Sequence, residues 1–514
     1  MQINNEYCQA LSYDASTTIM ELMNMQTKSE KEDNELKNYI SKILEDNFGI
    51  LNILIFNIDY YTYFSLIQQI IETIKINKRN LIFECLSNLT TKFIENYSKP
   101  NNENKLFYNQ YFNIISSFLL GENKILSNNE EEILKFNEIF DPVLNYINNT
   151  KDFLYCDQLV STMEKCIKCF DGINERSILV LNNINNILIK DSCMSQSSYN
   201  FVSTFLSHIQ KNKSNSAINE RELLNTIIEL IRKSFSFEEE TFKSSNIFAL
   251  LLTLQILDIN PNLNMDIFEY LILKSYNCFE QSNEIINQLV LANIGLGFIF
   301  KPELTLEILK KKISYNRNGV EIGYIRFEKY IGMICDILNI SYPSYYPPLG
   351  KCIILGICSI FSNKVCQDYL NQNIEFKKFL LTTFINLILS HKHEKTLILE
   401  KLMKKELECN FVEENEDNES DNDDDWFEDD EFHNNIEQAL SANENIKSSD
   451  EFKFFSEIIK NIKENDKPIY EFILSKIKSG ENLLERICQI RNIKVKYNNK
   501  ELTVPRKIVK IIRK

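Results

Sequence analysis

The sequence predicts an all-α protein, a HEAT-repeat α-solenoid with a disordered acidic loop near the C-terminus. Turn-forming residues are scarce, since the 514 residues include 11 glycines and 9 prolines, each about 2% against averages of roughly 7% and 5%. Apolar residues recur at helical spacing over segments of roughly 13 to 20 residues, with no competing strand-like alternation. Pairs of such segments follow one another about every 40 to 45 residues, the period of HEAT and armadillo arrays.

The stretch "NERELLNTIIELIRKSF" shows the periodicity clearly. Leu223, Ile227 and Ile231 fall on one helical face, and Glu222 and Glu229 fall on the other. The same pattern predicts helices over Tyr63–Ile76, Leu81–Tyr97, Leu106–Gly121, Asp157–Phe170, Tyr199–Lys211, Asn246–Asn260 and Glu284–Phe300. We therefore expect about 9 to 11 helical hairpins stacked in a curved array.

Charge and pattern divide the chain into four parts. Residues 1–410 are expected to be HEAT-like repeats, and residues 411–449 a disordered loop, because charge, Asn and Ser replace the apolar stripe there. Residues 450–490 resume as closing helices, with a break near Asp466 to Pro468. Residues 491–514 carry nine Lys or Arg and one Glu, and we interpret them as a basic tail.

Composition also limits the setting in which the protein works. The chain does not begin with a basic residue followed by an apolar run, so no secretory signal is predicted. The longest apolar runs are shorter than the ~20 residues that span a bilayer, so no membrane insertion is expected. Thirteen cysteines without a secreted-type framework indicate reduced, mostly buried thiols in an intracellular protein.

Few motifs suggest chemistry, so neither enzyme activity nor a cofactor nor a metal is predicted. The single CxxC, Cys166–Cys169, lacks a second pair and is better interpreted as core cysteine. The pair in His391–His393 is interpreted as a solvated helix end rather than a metal site. Gly295–Gly297 lacks the preceding strand of a nucleotide-binding loop, so close helix packing is favoured.

The acidic segment, Glu413–Glu431, is the strongest candidate for a functional site. It has 13 acidic residues in 19 and no basic ones, and without it the net charge of -15 becomes -2. A calcium loop is disfavoured because Asn422 would occupy the position that requires glycine. The candidate cargo-binding residues are Asp421, Asp423, Asp424, Asp425, Trp426, Phe427, Glu428, Asp429, Asp430 and Glu431. The alternative is a solvated segment that only maintains solubility.

Several stretches in order resemble the importin-β superfamily of nuclear transport receptors, in particular the importers numbered seven, eight and nine. The likeness lies in the stretches Leu291–Ile313, Tyr345–Phe361, Asp423–Glu431 and Asp450–Ile477. In those receptors a late HEAT repeat is followed by an acidic loop with an embedded Trp and a final helix pair. Their amino-terminal half, which holds most contacts to the GTPase Ran, has no counterpart here.

The resemblance implies a receptor, or its cargo-facing portion, that moves between cytoplasm and nucleus through the nuclear pore. Its partners would be basic cargo such as ribosomal proteins or histones, nucleoporin Phe-Gly repeats and, less securely, Ran. The alternative is a cytoplasmic HEAT scaffold without transport activity. The tail Val504–Lys514 is open to three interpretations: a solvated tail, a nucleic-acid or localisation element, or a segment that pairs with the acidic segment.

Overall fold

The protein is represented by a computed structural model, in which a defined set of residues is described. The described residues are 79–97, 111–113, 115–116, 130–150, 156–170, 173, 175–191, 196–211, 220–235, 243–260, 262–280, 284–317, 320–339, 346–409, 435–436, 439–440, 446, 448–476, 492–497 and 500–505. They are overwhelmingly helical, as the sequence predicts. They belong to two units, Met1–Lys233 and Ser234–Lys514.

Four of the described helices of the first unit match predicted segments, and two, Glu130–Thr150 and Glu175–Asp191, had no segment predicted for them. The described helices are α1 (Arg79–Tyr97), α2 (Glu130–Thr150), α3 (Cys156–Phe170), α4 (Glu175–Asp191), α5 (Gln196–Lys211) and α6 (Glu220–Ser234). α1 packs on α2, and α3 packs on α4 and α5. Beside α1, the Phe93 and Tyr111 rings lie 4.5 Å apart, and Tyr111 shares a 2.8 Å hydrogen bond with Thr90. The predicted helix Tyr63–Ile76 lies outside the described residues.

The second unit contains the longest of the described helices, Ile374–Cys409. Its described helices are α7 (Lys243–Ile259), α8 (Met265–Asn277), α9 (Glu284–Phe300), α10 (Pro302–Leu309), α11 (Arg326–Asn339), α12 (Pro347–Ser362), α13 (Lys364–Gln372), α14 (Ile374–Cys409), α15 (Glu451–Asn465) and α16 (Lys467–Lys476). The predicted break near Asp466 is confirmed, because Asp466 separates α15 from α16. The stretch Glu481–Ile490, predicted to be helical, lies outside the described residues.

α9 lies at the centre of the second unit. It packs against α7, α8, α11 and α12, and it is apolar on every side, as buried helices are. Two polar residues on it are buried and bonded: Asn293 donates to the carbonyl of Leu250 at 3.1 Å, and Gln288 accepts from the backbone N–H of Tyr346 at 2.9 Å. The second bond fixes the start of α12 against α9.

Two β-hairpins are exceptions to the predicted absence of strands. β1 (Lys312–Arg317) pairs with β2 (Val320–Ile325), and β3 (Asn492–Tyr497) pairs with β4 (Lys500–Pro505), both antiparallel. Each pair is joined by two residues, Asn-Gly in the first and Asn-Asn in the second. Asn and Gly tolerate the positive φ angles that two-residue hairpin turns require. The segment interpreted as a basic tail therefore begins with a hairpin.

Candidate functional site

The acidic segment lies outside the described residues. All ten predicted cargo-binding residues, from Asp421 to Glu431 without Asn422, fall in that gap. The structure does describe both flanks, since α14 ends at Cys409 and the chain is described again from Asn435. The candidate site is therefore built from the residues at which the acidic segment rejoins the helices.

The chain packs again before the predicted boundary at residue 450. Ile436, Ala439 and Leu440 are buried, and so is Ile446. The first three have the i, i+3, i+4 spacing of a helical face, which was a signal in the sequence. The prediction of a disordered loop as far as residue 449 was thus wrong for these positions, because their apolar side chains are buried in the core.

α15 begins with a capped first turn. The carboxylate of Asp450 accepts hydrogen bonds from the backbone N–H groups of Phe452 at 3.1 Å and Lys453 at 3.2 Å. These are two of the donors that a helix start otherwise leaves unpaired. The next residue, Glu451, then projects into the core, where its side chain is fully buried.

Glu451, on α15, is held by residues of two other helices. One carboxylate oxygen lies 2.6 Å from Nζ of Lys395 and 3.0 Å from Nε2 of His391, both on α14. The other oxygen lies 3.9 Å from Nζ of Lys351 on α12. We call these four residues the Glu451 cluster. Phe452 covers one side, with its ring 5.8 Å from that of His391.

The electrostatics of this cluster favour an ionised glutamate and a neutral histidine. Burial opposes the charge on Glu451, but Lys395, the hydrogen bond from His391, and Lys351 outweigh it and hold the pKa of Glu451 well below its usual range. Burial, together with the charges of Lys395 and Lys351, lowers the pKa of His391 to about 4, despite the opposing hydrogen bond to Glu451. A neutral imidazole therefore donates its Nε2–H to the carboxylate.

The interpretation of His391–His393 as a solvated helix end was wrong for His391. α14 continues to Cys409, so these residues lie inside the helix, and the His391 side chain is completely buried. Phe384, Ile388 and His391 lie on one buried face at i, i+4, i+7. That spacing was the available sequence signal. His393 is exposed.

A second anchor holds the far end of α15 to α14. Nζ of Lys377 lies 2.6 Å from a carboxylate oxygen of Asp466, with only 12% of the lysine side chain exposed. Between the anchors, the rings of Phe384 and Phe455 meet edge to face at 5.0 Å. α15 therefore runs antiparallel to α14, and side-chain contacts join the two helices near both ends of α15 and between them.

The other sequence motifs are structural where they are described. Cys166 is buried, and the side chain of Cys169 lies outside the described set. Gly295 and Gly297 lie inside α9 at close helix contacts, as predicted. Burial raises the pKa of the Cys352 and Cys358 thiols, which disfavours the nucleophilic thiolate. Among the described residues, no group of three potential metal ligands comes together.

No described helix is by itself long and apolar enough to cross a bilayer. α12 and α13 satisfy the length and composition criteria only when joined, and their axes differ by 80°.

Comparisons with known proteins assign no family. No family model matches the chain, and no curated protein is significantly similar to it. A search of solved structures finds an engineered protein from a structural genomics programme, which is 10% identical with a TM-score of 0.32. That alignment covers 84% of this chain and 99% of the engineered protein. Similarity at this level supports no conclusion about fold or function.

Proposed function

We propose that this protein is an importin-like nuclear transport receptor that carries basic protein cargo on its acidic segment. One observation carries the proposal: 13 carboxylates within 19 residues separate α14 from the chain that packs back beside it. Ribosomal proteins and histones are the class of cargo that this charge would attract. Nucleoporin Phe-Gly repeats are the further partner of such a receptor, and Ran is a less secure one.

The charge of the acidic segment suits this role physically. A dense run of carboxylates attracts a basic protein over roughly a Debye length and competes with nucleic acid for it. Trp426 and Phe427 lie within the run, and aromatic rings attract the cationic groups of Lys and Arg. Binding by charge would also accept many cargoes, as a general carrier needs.

The helix arrangement supports the proposal of a HEAT-type array. α7 packs on α9, α9 on α12, and α11 on α14, so alternate long helices contact each other as in stacked repeats. α7 starts at residue 243 and α9 at residue 284, an interval of 41 residues. This interval falls within the HEAT range of roughly 40 to 47 residues.

The first test replaces every Asp and Glu in Glu413–Glu431 with Asn or Gln in the full chain. We expect binding to a histone dimer at moderate salt to weaken by about tenfold or more, since each exposed charge pair contributes up to ~1 kcal/mol. The thermal midpoint should stay nearly unchanged. A matched control neutralises the same number of exposed helical carboxylates elsewhere. Equal histone affinity for both variants and the wild type would make the segment a solvated linker.

The second test separates a receptor from a cytoplasmic scaffold. The fluorescent protein, with and without a bound histone dimer, is added to permeabilised cells together with Ran and GTP. A receptor should accumulate in nuclei with its cargo. Histone binding without nuclear accumulation would reject transport and favour the scaffold.

A further inference from the structure

We propose that the Glu451 cluster is an acid-sensitive latch that fastens the first turn of α15 to α12 and α14. This inference is independent of the transport proposal, because it concerns how the chain that follows the acidic segment is fixed in the core. The geometry carries it: one fully buried carboxylate joins three helices through Lys351, His391 and Lys395.

The cluster can accommodate only one protonation state of His391. Two ammonium groups already face the single carboxylate, so a protonated imidazole would place a third positive charge in a buried site. The ionisable groups in and around the cluster are His391 and Lys395 on α14, Lys351, Cys352 and Cys358 on α12, and Asp450 and Glu451 on α15. Of these groups, His391 is the one whose ordinary pKa of ~6.5 lies near neutrality.

The sign of the pH effect follows from the direction of the shift. His391 has a pKa of about 4 in the closed cluster, below its ordinary value of ~6.5, so an open state binds a proton more readily. The stability from His391 is therefore complete above pH ~6.5 and is lost as the pH falls toward 4. The lowered pKa of Glu451 acts in the same direction at still lower pH. Between pH 7 and 5, the linkage favours opening by about 20-fold.

Release should begin at the first turn of α15. The opposite end is held by Lys377 and Asp466, an anchor without a histidine. Opening the first turn would expose the buried rings of Phe452 and Phe455. A fall in pH would thus expose apolar side chains of α15, the helix that follows the acidic segment in the chain.

Hydrogen exchange of the full-length protein tests the latch. Amide protection in α15 is measured at pH 7 and 5, with labelling times scaled to the intrinsic exchange rate, and α9 serves as the internal reference. We expect protection of residues 452–462 to fall about 20-fold relative to α9. Unchanged relative protection would overturn the proposal.

Two histidine variants assign the effect. His391→Gln keeps an amide that can donate to Glu451 but cannot titrate, so its pH dependence should shrink to less than about 3-fold. His393→Gln removes the exposed histidine two residues later and should retain the wild-type dependence. A His391→Gln variant that retains the full 20-fold loss would overturn the proposal.

A measurement on the wild type covers the case in which His391→Gln fails to fold. Exchange of the imidazole C2 proton, followed by mass spectrometry, reports the pKa of individual histidines. We expect His391 to titrate at least one pH unit below the ordinary ~6.5. Titration at the ordinary value would overturn the latch.

Discussion

Gly295 and Gly356 let α9 and α12 cross with their backbones in contact. A Cβ on Gly295 would lie 2.6 Å from the carbonyl oxygen of Cys352, and one on Gly356 would lie 2.7 Å from Cα of Gly295. Both obstacles are backbone atoms, which cannot rotate away as a side chain can. The absence of a side chain at each position therefore sets the separation of the two helices.

Gly295→Ala should destabilise the protein because the helices must separate around a new methyl group. Overpacking of this kind costs about 1 to 3 kcal/mol, and chemical denaturation at pH 7 would measure it. Gly332→Ala is the matched control, since a Cβ there meets nothing within 4 Å. That variant should gain roughly 0.5 to 1 kcal/mol from helix propensity. Equal stabilities for the two variants would contradict the close crossing.

Glu451 is the residue whose removal should have the largest effect. Glu451→Ala leaves Lys351, Lys395 and His391 facing one another in a buried site without a carboxylate. Breaking a buried ion pair from one side costs about 3 to 5 kcal/mol. The measurement is the free energy of unfolding at pH 7, with the exposed Glu457→Ala one turn and a half later on α15 as control. A loss below about 1 kcal/mol would show that the cluster contributes little.

Sequence reasoning anticipated the glycines but not the cluster. Gly295–Gly297 falls in an apolar helical pattern, where only close packing explains two glycines. The cluster joins residues 351, 391 and 451, which are 40 and 60 positions apart. Periodicity indicates which face of a helix is buried, but it does not indicate which charged residue, distant in sequence, contacts that face. His391 was therefore predicted to be exposed to solvent, because its neighbours in the sequence are polar.

At the scale of the element, α15 depends on its cap as well as on its buried face. Asp450→Ala removes the acceptor for two backbone N–H groups and should cost about 1 kcal/mol. Asp450→Asn is the matched control, because Asn caps a helix as well as Asp does but carries no charge. Thermal unfolding should rank the variants wild type, Asn, Ala. A stability for Ala equal to that of Asn would show that the cap does not contribute.

The elements that the sequence predicted best were those with a long apolar stripe, such as α6, or with apolar residues on every side, such as α9. The β1–β2 hairpin was missed although Asn318-Gly319 between alternating residues is a strong local signal. The early return of the chain at Ile436 was missed for a different reason. When polarity is averaged along the sequence, the charges of the nearby acidic segment outweigh the three apolar residues Ile436, Ala439 and Leu440.

At the scale of the whole molecule, charge is distributed unevenly along the chain. The acidic segment accounts for nearly all of the net charge, and residues 491–514 carry nine basic residues of opposite sign. The hairpin β3–β4 occupies the first part of that basic region, and β4 lies against α14, the helix that leads into the acidic segment. The connectivity therefore brings the basic region to the same helix from which the acidic segment departs.

Removing Arg506–Lys514, which lie outside the described residues, tests whether the basic tail competes with cargo. The nine residues include five basic ones, and exposed charge pairs contribute at most ~1 kcal/mol each and weaken with salt. We expect the truncated protein to bind a histone dimer several-fold more tightly below ~50 mM salt, and the gain to vanish as salt screens the charges. The control makes the same truncation in the protein with a neutralised Glu413–Glu431, where the tail has no acidic partner and affinity should not change. Equal or weaker binding by the truncated wild type at low salt would reject competition and make the tail a contact for cargo or nucleic acid.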